Sequence, residues 1–423
     1  MAEIKAFKGI RYNQTLFAQK KIKLEDVVTQ PYDKITKEMQ DAYYEKSPYN
    51  IARIILGKGE KPYDEASAFF NEWQDKGILL KDEEPSIYPY WQEYDFQGKT
   101  KTRKGFVALL KLEEFASGVV IPHERTLSGP KEDRLKLLKS TCANFGQIFM
   151  LYSDPEHKIS TLIDKEISEV APLADITESN EKGVRHKLWR VRDESIIKEV
   201  QELMKDKTLL IADGHHRYET ALNYRKLRLL KDANGAKDAN YRMVTFVGME
   251  DPGLMILPTH RAIYGVNTEA FIHRVSSYFV AEECKNKDEL LSKLEGKHHQ
   301  YGLYDGRFWW LRLRDENLIE KFVSKEKSKD YKKLDIVVLH KIVFEGVLNI
   351  SEDKILSKEC IDYLRDIDDG IQGVNSCKYE LFFILNPTCM EEVQKCSAHQ
   401  ESMPQKSTDF YPKLITGLVV NKL

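Results

Sequence analysis

The most informative stretch of this sequence is Thr208-Leu-Leu-Ile-Ala-Asp-Gly-His-His-Arg-Tyr-Glu219. Its first half is a short apolar run that ends at Asp213-Gly214, and Tyr218, Ala221 and Leu222 follow at helical spacing. A glycine lets the backbone turn sharply between two such elements. The pattern therefore predicts a buried strand that turns directly into a helix, which is typical of folds that mix strands and helices.

The predicted helix start carries several titratable side chains. Unpaired N–H groups and the dipole at a helix N-terminus favour an anion, and His215, His216 and Arg217 add two imidazoles and a guanidinium there. These residues predict a phosphate or carboxylate site. Two other interpretations stay open: Asp213 caps the helix while the histidines face solvent, or His216 and Glu219, three residues apart, share a metal ion.

A second candidate segment is Pro122-His-Glu-Arg-Thr126, which lies in a turn-rich stretch between a predicted strand and a predicted helix. It places an imidazole, a carboxylate, a guanidinium and a hydroxyl in four consecutive positions, and this combination suits proton transfer beside an anion. An ordinary capping loop is the alternative interpretation.

A third candidate segment is Met403-Pro-Gln-Lys-Ser-Thr408. Its lysine is flanked by a glutamine and two hydroxyls, which would bind phosphoryl oxygens together with backbone N–H groups. A solvent-exposed turn is the alternative here. A fourth segment, Gln30-Pro-Tyr-Asp33, is predicted to be a structural turn.

Length and charge limit the classes of protein to consider. The 423 residues exceed what one hydrophobic core usually serves, so about two to three domains are expected. Lysine and arginine (65) nearly balance aspartate and glutamate (67), for a net charge of −2. This balance argues against nucleic-acid coating and against polybasic membrane binding. No apolar stretch approaches the roughly 18 residues of a membrane span.

Cysteine usage and missing motifs narrow the classes further. Six scattered cysteines without a C-x-x-C pair indicate reduced thiols, and the N-terminus lacks the continuous apolar core of a secretory signal. We expect a cytoplasmic protein that binds small molecules and has no nucleic-acid or membrane partner; no pattern indicates its oligomeric state. The sequence also lacks the P-loop, the dinucleotide-binding glycine motif, the nucleophile elbow and H-E-x-x-H, which excludes the enzymes that they mark.

Three regions are predicted along the chain: an N-terminal α/β region at 1–90, a catalytic region at 91–262, and a C-terminal α/β region at 263–423 whose 403–408 loop completes the site. Aromatic and β-branched residues around Gln97-Gly98 predict a hairpin. Short patterns predict strands at Asn50–Leu56 and Leu414–Val419 and a helix at Lys358–Arg365.

Six separated segments resemble a widespread domain-of-unknown-function family of bacteria and some anaerobic eukaryotes. They are Phe7-Lys-Gly-Ile-Arg-Tyr12, Gln30-Pro-Tyr-Asp33, Pro122-His-Glu-Arg-Thr126, Ala212-Asp-Gly-His-His-Arg-Tyr-Glu219, Leu385-Asn-Pro-Thr388 and Met403-Pro-Gln-Lys-Ser-Thr408. The Asp-Gly-His-His-Arg box is also similar to that of free serine kinases in the ParB/sulfiredoxin superfamily. The resemblance implies a mixed α/β (α+β) fold with a ParB/sulfiredoxin-like catalytic region, and transfer of a phosphoryl group to the hydroxyl of free L-serine.

The same resemblance implies roles for individual residues. Glu124 would be the general base, His216 would take part in catalysis, and Asp213 would bind Mg²⁺ or act as the base instead. The substrate and the phosphoryl oxygens would be bound by His123, Arg125, Thr126, His215, Arg217, Glu219, Gln405, Lys406, Ser407 and Thr408.

The phosphoryl donor and two rival functions stay open. Members of the serine kinase group use ADP, ATP or inorganic pyrophosphate, and the absence of a nucleotide-binding loop favours the compact donor, pyrophosphate. The first rival is a phosphohydrolase in which water replaces serine as the acceptor. The second is a non-catalytic nucleotide-binding switch of the ParB-like kind.

Overall fold

The computed structural model describes residues 1–124, 129–178, 183–232, 237–399 and 401–423. Helices and strands mix along the described chain, which confirms the predicted α/β class. There are two units: of the described residues, those in 1–121, 129–255 and 412–423 belong to the first, and those in 122–124 and 256–411 to the second. The three regions expected from the sequence and their ParB/sulfiredoxin-like character stay predictions.

The first unit is organised by a nine-stranded sheet. Strand Leu209–Asp213 pairs in antiparallel with Ile148–Tyr152, which pairs in parallel with Tyr241–Gly248. All five residues of Ile148–Tyr152 are buried, as expected for a strand covered on both faces. In pairing order the strands are Val120–Pro122, Leu209–Asp213, Ile148–Tyr152, Tyr241–Gly248, Lys99–Lys111, Tyr88–Phe96, Arg185–Leu188 and Ala174–Thr177, and Ile4–Lys5 also pairs with Lys99–Lys111.

The hairpin predicted around Gln97-Gly98 is confirmed, since Tyr88–Phe96 pairs in antiparallel with Lys99–Lys111. Both turn residues have positive φ, the conformation that favours a glycine in a two-residue hairpin turn. The other strands of this unit are Ile10–Tyr12, Leu79–Lys81, Ala143–Asn144 and Asn421–Lys422, and Met255–Ile256 begins in it.

Helices of the first unit contribute buried residues to two core clusters. Helices Lys158–Ile167 and Glu194–Met204 each bury an apolar stripe against the large sheet. A second cluster brings Phe70 and Trp73 of helix Pro62–Asp75 together with Phe145. The helices of this unit are Gln14–Lys20, Lys37–Lys46, Ala52–Ile55, Pro62–Asp75, Gly129–Thr141, Lys158–Ile167, Glu194–Met204 and His215–Lys231, with short 3-10 turns at Leu24–Asp26, Tyr32–Lys34, Phe115–Ser117 and Asp238–Asn240.

The second unit contains a six-stranded antiparallel sheet, in the order Phe279–Cys284, Phe308–Leu313, Gln300–Tyr304, Leu381–Ile384, His260–Ile263 and Ile361–Leu364. Phe382 and Leu290 are among the fully buried residues of its core. The remaining elements are helices Phe271–Val275, Lys287–Leu294, Ile319–Phe322, Lys329–Lys332, Asp335–Val338, Glu352–Ser357, Ile367–Asn375 and Met390–Ala398, a π-helix at Leu339–Val347, a 3-10 turn at Glu316–Leu318 and a strand at Phe410–Tyr411.

Three short predictions of secondary structure are wrong. Asn50–Leu56 forms the helix Ala52–Ile55, because the Asn50 side chain accepts a hydrogen bond from the Ala52 N–H at 2.9 Å and the apolar residues then face one core. Lys358–Arg365 contains the strand Ile361–Leu364, which pairs with a strand about a hundred residues away. In Leu414–Val419 only an isolated bridge forms, since Gly417 has φ of 111°.

Within the described ranges, none of the helices is long and apolar enough to cross a membrane.

Candidate functional site

The corner between strand and helix forms as the sequence predicts. Strand Leu209–Asp213 ends at the carboxylate, and helix His215–Lys231 begins two residues later. Gly214 joins them with φ of 95°, and a Cβ added there would lie 3.0 Å from Nε of Arg217. Glycine is therefore required at this corner both by the backbone conformation and by the side chain folded back over it.

We expect Gly214→Ala to lower the free energy of unfolding by about 2–3 kcal/mol, because it combines an unfavourable φ with crowding against Arg217. Gly118→Ala is the matched control, since Gly118 has φ of 72° and open space around it; it should cost about 1 kcal/mol. Urea unfolding of both variants measures the difference. Equal losses would mean that contact with Arg217 contributes nothing.

Arg217 is buried at this corner and forms an ion pair with Asp213 at 2.5 Å. Its guanidinium also donates to the carbonyl of Gln147. Burial lowers the pKa of Arg217, but the carboxylates of Asp213 and Asp33 outweigh burial and raise it overall. Lys413 Nζ lies 3.8 Å from the other oxygen of Asp213. The Asp213 carboxylate thus faces two cations, Arg217 and Lys413.

The two histidines of the corner are not solvent-exposed. His215 is buried and His216 is half-buried. Burial first, and then the nearby ammonium of Lys131, lowers the pKa of His216, so its imidazole is neutral at pH 7. A neutral imidazole donates one hydrogen bond and accepts another. His216 can therefore bind an oxyanion by hydrogen bonding or accept a proton, but it adds no positive charge.

The geometry does not favour the metal interpretation of His216 and Glu219. Glu219 forms an ion pair with Lys131, and the described residues include no group of three or more His, Cys, Asp or Glu side chains that could hold a metal ion. Asp213 is the predicted Mg²⁺ ligand, and it already faces two cations. Its role as a Mg²⁺ ligand stays a prediction.

A cavity of about 50 Å³ opens beside the corner within the first unit. Arg217 and Thr220 of the helix line it, together with Arg134, Arg242 and Tyr32. The rest of its wall comes from Pro31, Ile55, Leu137, Leu138, Ala143, Phe145, Gly146 and Thr416. The wall is thus apolar with three guanidiniums set into it, the composition expected of a small anion-binding pocket.

Tyr32 belongs to the segment that the sequence assigned to a structural turn. The turn is confirmed as the 3-10 turn Tyr32–Lys34, and the same segment also contributes to the cavity. The guanidinium of Arg134 stacks on the Tyr32 ring, 4.2 Å from its centroid, and Arg134 pairs with Asp133. The sequence analysis missed Tyr32, Arg134 and Arg242 as candidate site residues.

In the second unit, the segments at 122–126 and 403–408 come together although about 280 residues separate them. The Met403 N–H donates to the carbonyl of His123 at 2.7 Å. His123 Nε2 lies 2.6 Å from the hydroxyl of Thr408, and the Thr408 N–H donates to the Glu124 carboxylate at 3.4 Å. His123 is fully buried, and Glu124 is partly exposed. The carboxylate is thus held by a neighbouring loop beside a buried imidazole.

Other residues of the 403–408 loop have structural contacts. The Ser407 hydroxyl donates to the Pro404 carbonyl of its own loop at 2.5 Å. The Gln405 side chain lines another cavity of the second unit. Lys406 has a left-handed backbone with φ of 60° and a partly exposed side chain. Arg125 and Thr126 lie outside the described residues.

Arg261 is a further cation that the sequence analysis missed. It is buried in strand His260–Ile263 and donates to the carbonyl of Lys406 at 2.8 Å. Burial lowers the pKa of Arg261 to about 10, although Tyr363 and the Glu124 carboxylate act in the opposite direction. A lone arginine in a strand pattern has no local feature that separates it from a surface residue.

Comparison with solved structures gives several matches of low similarity. A free serine kinase in complex with AMP is 13% identical, with a TM-score of 0.34 over 71% of this chain and 89% of its own. A conserved hypothetical protein from Pyrococcus furiosus is 15% identical, with a TM-score of 0.34 over 69% and 87%. SbnI with a C-terminal truncation from Staphylococcus aureus is 12% identical, with a TM-score of 0.33 over 72% and 84%. Similarities at this level do not extend the function of those proteins to this chain.

Comparison with curated proteins gives no significant match. The family described as "protein of unknown function", DUF1015, matches residues 4–337, well over half of the chain. This match includes four of the six segments on which the family was predicted. The chain therefore belongs to the DUF1015 family.

Proposed function

We propose that the protein transfers a phosphoryl group from pyrophosphate or a nucleotide to the hydroxyl of free L-serine. The observation that carries this proposal is the corner at Asp213–Arg217, where a helix start, a buried guanidinium and a cation-lined cavity adjoin one another. Phosphoryl transfer needs little covalent chemistry from a protein, and its catalysis consists mostly of positioning and charge neutralisation. The corner supplies both.

We assign the roles from the contacts in each unit. Arg217, oriented by Asp213, would neutralise charge on the phosphoryl group, and neutral His216 would donate a hydrogen bond to it. Glu124 is the proposed base, because the Thr408 N–H holds its carboxylate in place and it remains partly accessible. Mg²⁺ at Asp213 is proposed only as an ion that accompanies the donor.

The test is a turnover assay of the purified chain with L-serine and each of pyrophosphate, ADP and ATP, with O-phospho-L-serine measured by mass spectrometry. Phosphoserine formed with any donor supports the proposal. Release of inorganic phosphate at the same rate with and without serine, and no phosphoserine, would replace it with a phosphohydrolase. Binding of a nucleotide with no turnover would favour a non-catalytic switch.

The assay should also identify the donor. We expect pyrophosphate with Mg²⁺ to support phosphoserine formation at least as well as ATP, because the guanidiniums on the cavity wall bind phosphoryl oxygens and need no contact with a nucleoside. The measurement is the initial rate with each donor at equal concentration. Strict dependence on a nucleotide would contradict the compact donor and leave the kinase proposal in place.

The same assay tests Lys406. Lys406→Ala should slow the reaction with every donor, since the lysine is proposed to bind phosphoryl oxygens. Lys378→Ala is the control in the same unit, because Lys378 is an exposed lysine outside the loop. Equal rates for the two variants would remove Lys406 from the site.

A further inference from the structure

Arg242 is a buried cation of the first unit. It lies on strand Tyr241–Gly248 of the large sheet and is only 7% exposed. Its guanidinium donates to the carbonyl of Gly146 at 3.1 Å, while its Nε has no hydrogen-bond partner among the described residues. Arg242 also forms no ion pair with any carboxylate that the structure describes. A buried charge in this state is costly unless something neutralises it.

A second buried cation lies next to it. Arg217 donates to the carbonyl of Gln147, the residue that follows the acceptor of Arg242. Two adjacent carbonyls therefore hold two guanidiniums on the wall of one cavity. Burial first, and then the Arg217 charge, lowers the pKa of Arg242 to about 9. This repulsion works against folding and would be relieved by an anion between the two groups.

Among the described residues, the wall of the cavity contains no acid. The 13 described residues that line it include three arginines and no aspartate or glutamate. Arg134 is paired with Asp133 and Arg217 with Asp213, both of which lie off the wall, so Arg242 contributes the charge that is not balanced. Thr416 and Tyr32 add hydroxyls, and a Cβ added to Gly146 would come within 3.4 Å of the Arg217 Nη1. The absent side chain at Gly146 thus keeps the space in front of the guanidinium open.

We propose that this cavity binds one compact oxyanion, the phosphoryl group of inorganic phosphate or pyrophosphate, between Arg242 and Arg217. Guanidiniums suit the oxygens of a phosphoryl group, and a cavity of about 50 Å³ takes one such group. This assignment rests on the proposed function at one point, namely that the oxyanion is part of the phosphoryl donor. It adds Arg242, on a strand far from the Asp213 motif in sequence, as a ligand-binding residue.

Because the charge of Arg242 is not neutralised, its removal is expected to raise the stability of the protein without ligand. Arg242→Met removes the unneutralised charge and keeps a long apolar side chain, so the variant without ligand should melt at a higher temperature than the unmodified chain. Pyrophosphate should raise the melting temperature of the unmodified chain, and this increase should be lost in the variant. Titration calorimetry without serine should show the Kd for pyrophosphate about 10- to 100-fold weaker, the range expected for one charged hydrogen-bonding group.

Arg192→Met is the matched control, because Arg192 is exposed and its guanidinium lies 3.5 Å from the Glu84 carboxylate. It should leave both the melting temperature and the Kd unchanged. Arg242→Lys is the second variant, to be used if Arg242→Met does not fold. It keeps a charge but loses the planar fork, so pyrophosphate should bind several-fold more weakly. Unchanged binding in either Arg242 variant would overturn the proposal.

Further arms of the titration separate the sources of the oxyanion. Phosphate and pyrophosphate should compete with each other, and AMP should bind no more tightly than phosphate. If L-serine alone binds and loses its affinity in Arg242→Met while pyrophosphate does not, the cavity is a carboxylate site and the phosphoryl assignment is wrong. Pyrophosphate binding without phosphoserine formation would keep the cavity assignment and remove the kinase. Phosphoserine formation by Arg242→Met with an unchanged KM for the donor would keep the kinase proposal and contradict the cavity assignment.

Discussion

Replacement of Arg217 by alanine is expected to lower kcat/KM for phosphoserine formation by about 10²–10³-fold, the loss typical of one charge-stabilising donor. Arg217 is buried, lines the anion cavity and is oriented by Asp213. His216→Ala should have a similar effect, since the neutral imidazole is proposed to contact the same phosphoryl group. The measurement is steady-state kinetics with serine and the best donor.

Stability has to be measured alongside activity. Breaking a buried ion pair costs about 3–5 kcal/mol in general, although Lys413 still faces Asp213 when Arg217 is removed. Arg217→Lys keeps the charge and loses the fork, so it should lose rate with less loss of stability. Arg225→Ala, on the same helix and paired with Glu114, is the control and should keep full activity. Near-normal turnover in the Arg217 and His216 variants would contradict the proposal that this corner binds the phosphoryl group.

Glu124→Gln is expected to lower kcat by about 10²-fold or more and to change the KM for serine far less, since a general base acts in the transition state. The amide keeps the size of the side chain and can still accept the hydrogen bond from the Thr408 N–H. Glu391→Gln, an exposed carboxylate paired with Lys395 in the same unit, should behave like the unmodified chain.

Asp213→Asn distinguishes the two candidate bases. Asp213 faces Arg217 and Lys413, so the substitution should change how the cations are oriented and weaken donor binding. If Asp213→Asn instead lowers kcat alone and Glu124→Gln has no effect, the two roles are reversed.

Local features were predictable where the chemistry is local. The turn at Gly214 follows from an apolar run that meets a glycine and then a helical pattern, and all of these lie within about a dozen residues. The hairpin at Gln97-Gly98 was predictable for the same reason. The family match at residues 4–337 also follows from short segments in a fixed order.

Long-range pairing explains what was not predictable. The strand Ile361–Leu364 looks helical until it pairs with His260–Ile263, and a short apolar run such as Asn50–Leu56 fits either a strand or a helix until its core is assembled. The contact of His123 and Glu124 with Thr408 depends on a chain reversal over about 280 residues, which no window of sequence contains.

The amino-acid order thus accounts for the corner at Asp213–Arg217, for the types of side chain it carries and for the family to which the chain belongs. The surroundings of Arg242 arise only when strand Tyr241–Gly248, the loop at Gly146 and helix His215–Lys231 pack together. The physical reason is that the cost of a buried charge depends on which groups exclude water from it and which anions lie near it. In an unfolded chain water surrounds the guanidinium and no particular group is held near it. The anion cavity is therefore a property of the folded unit.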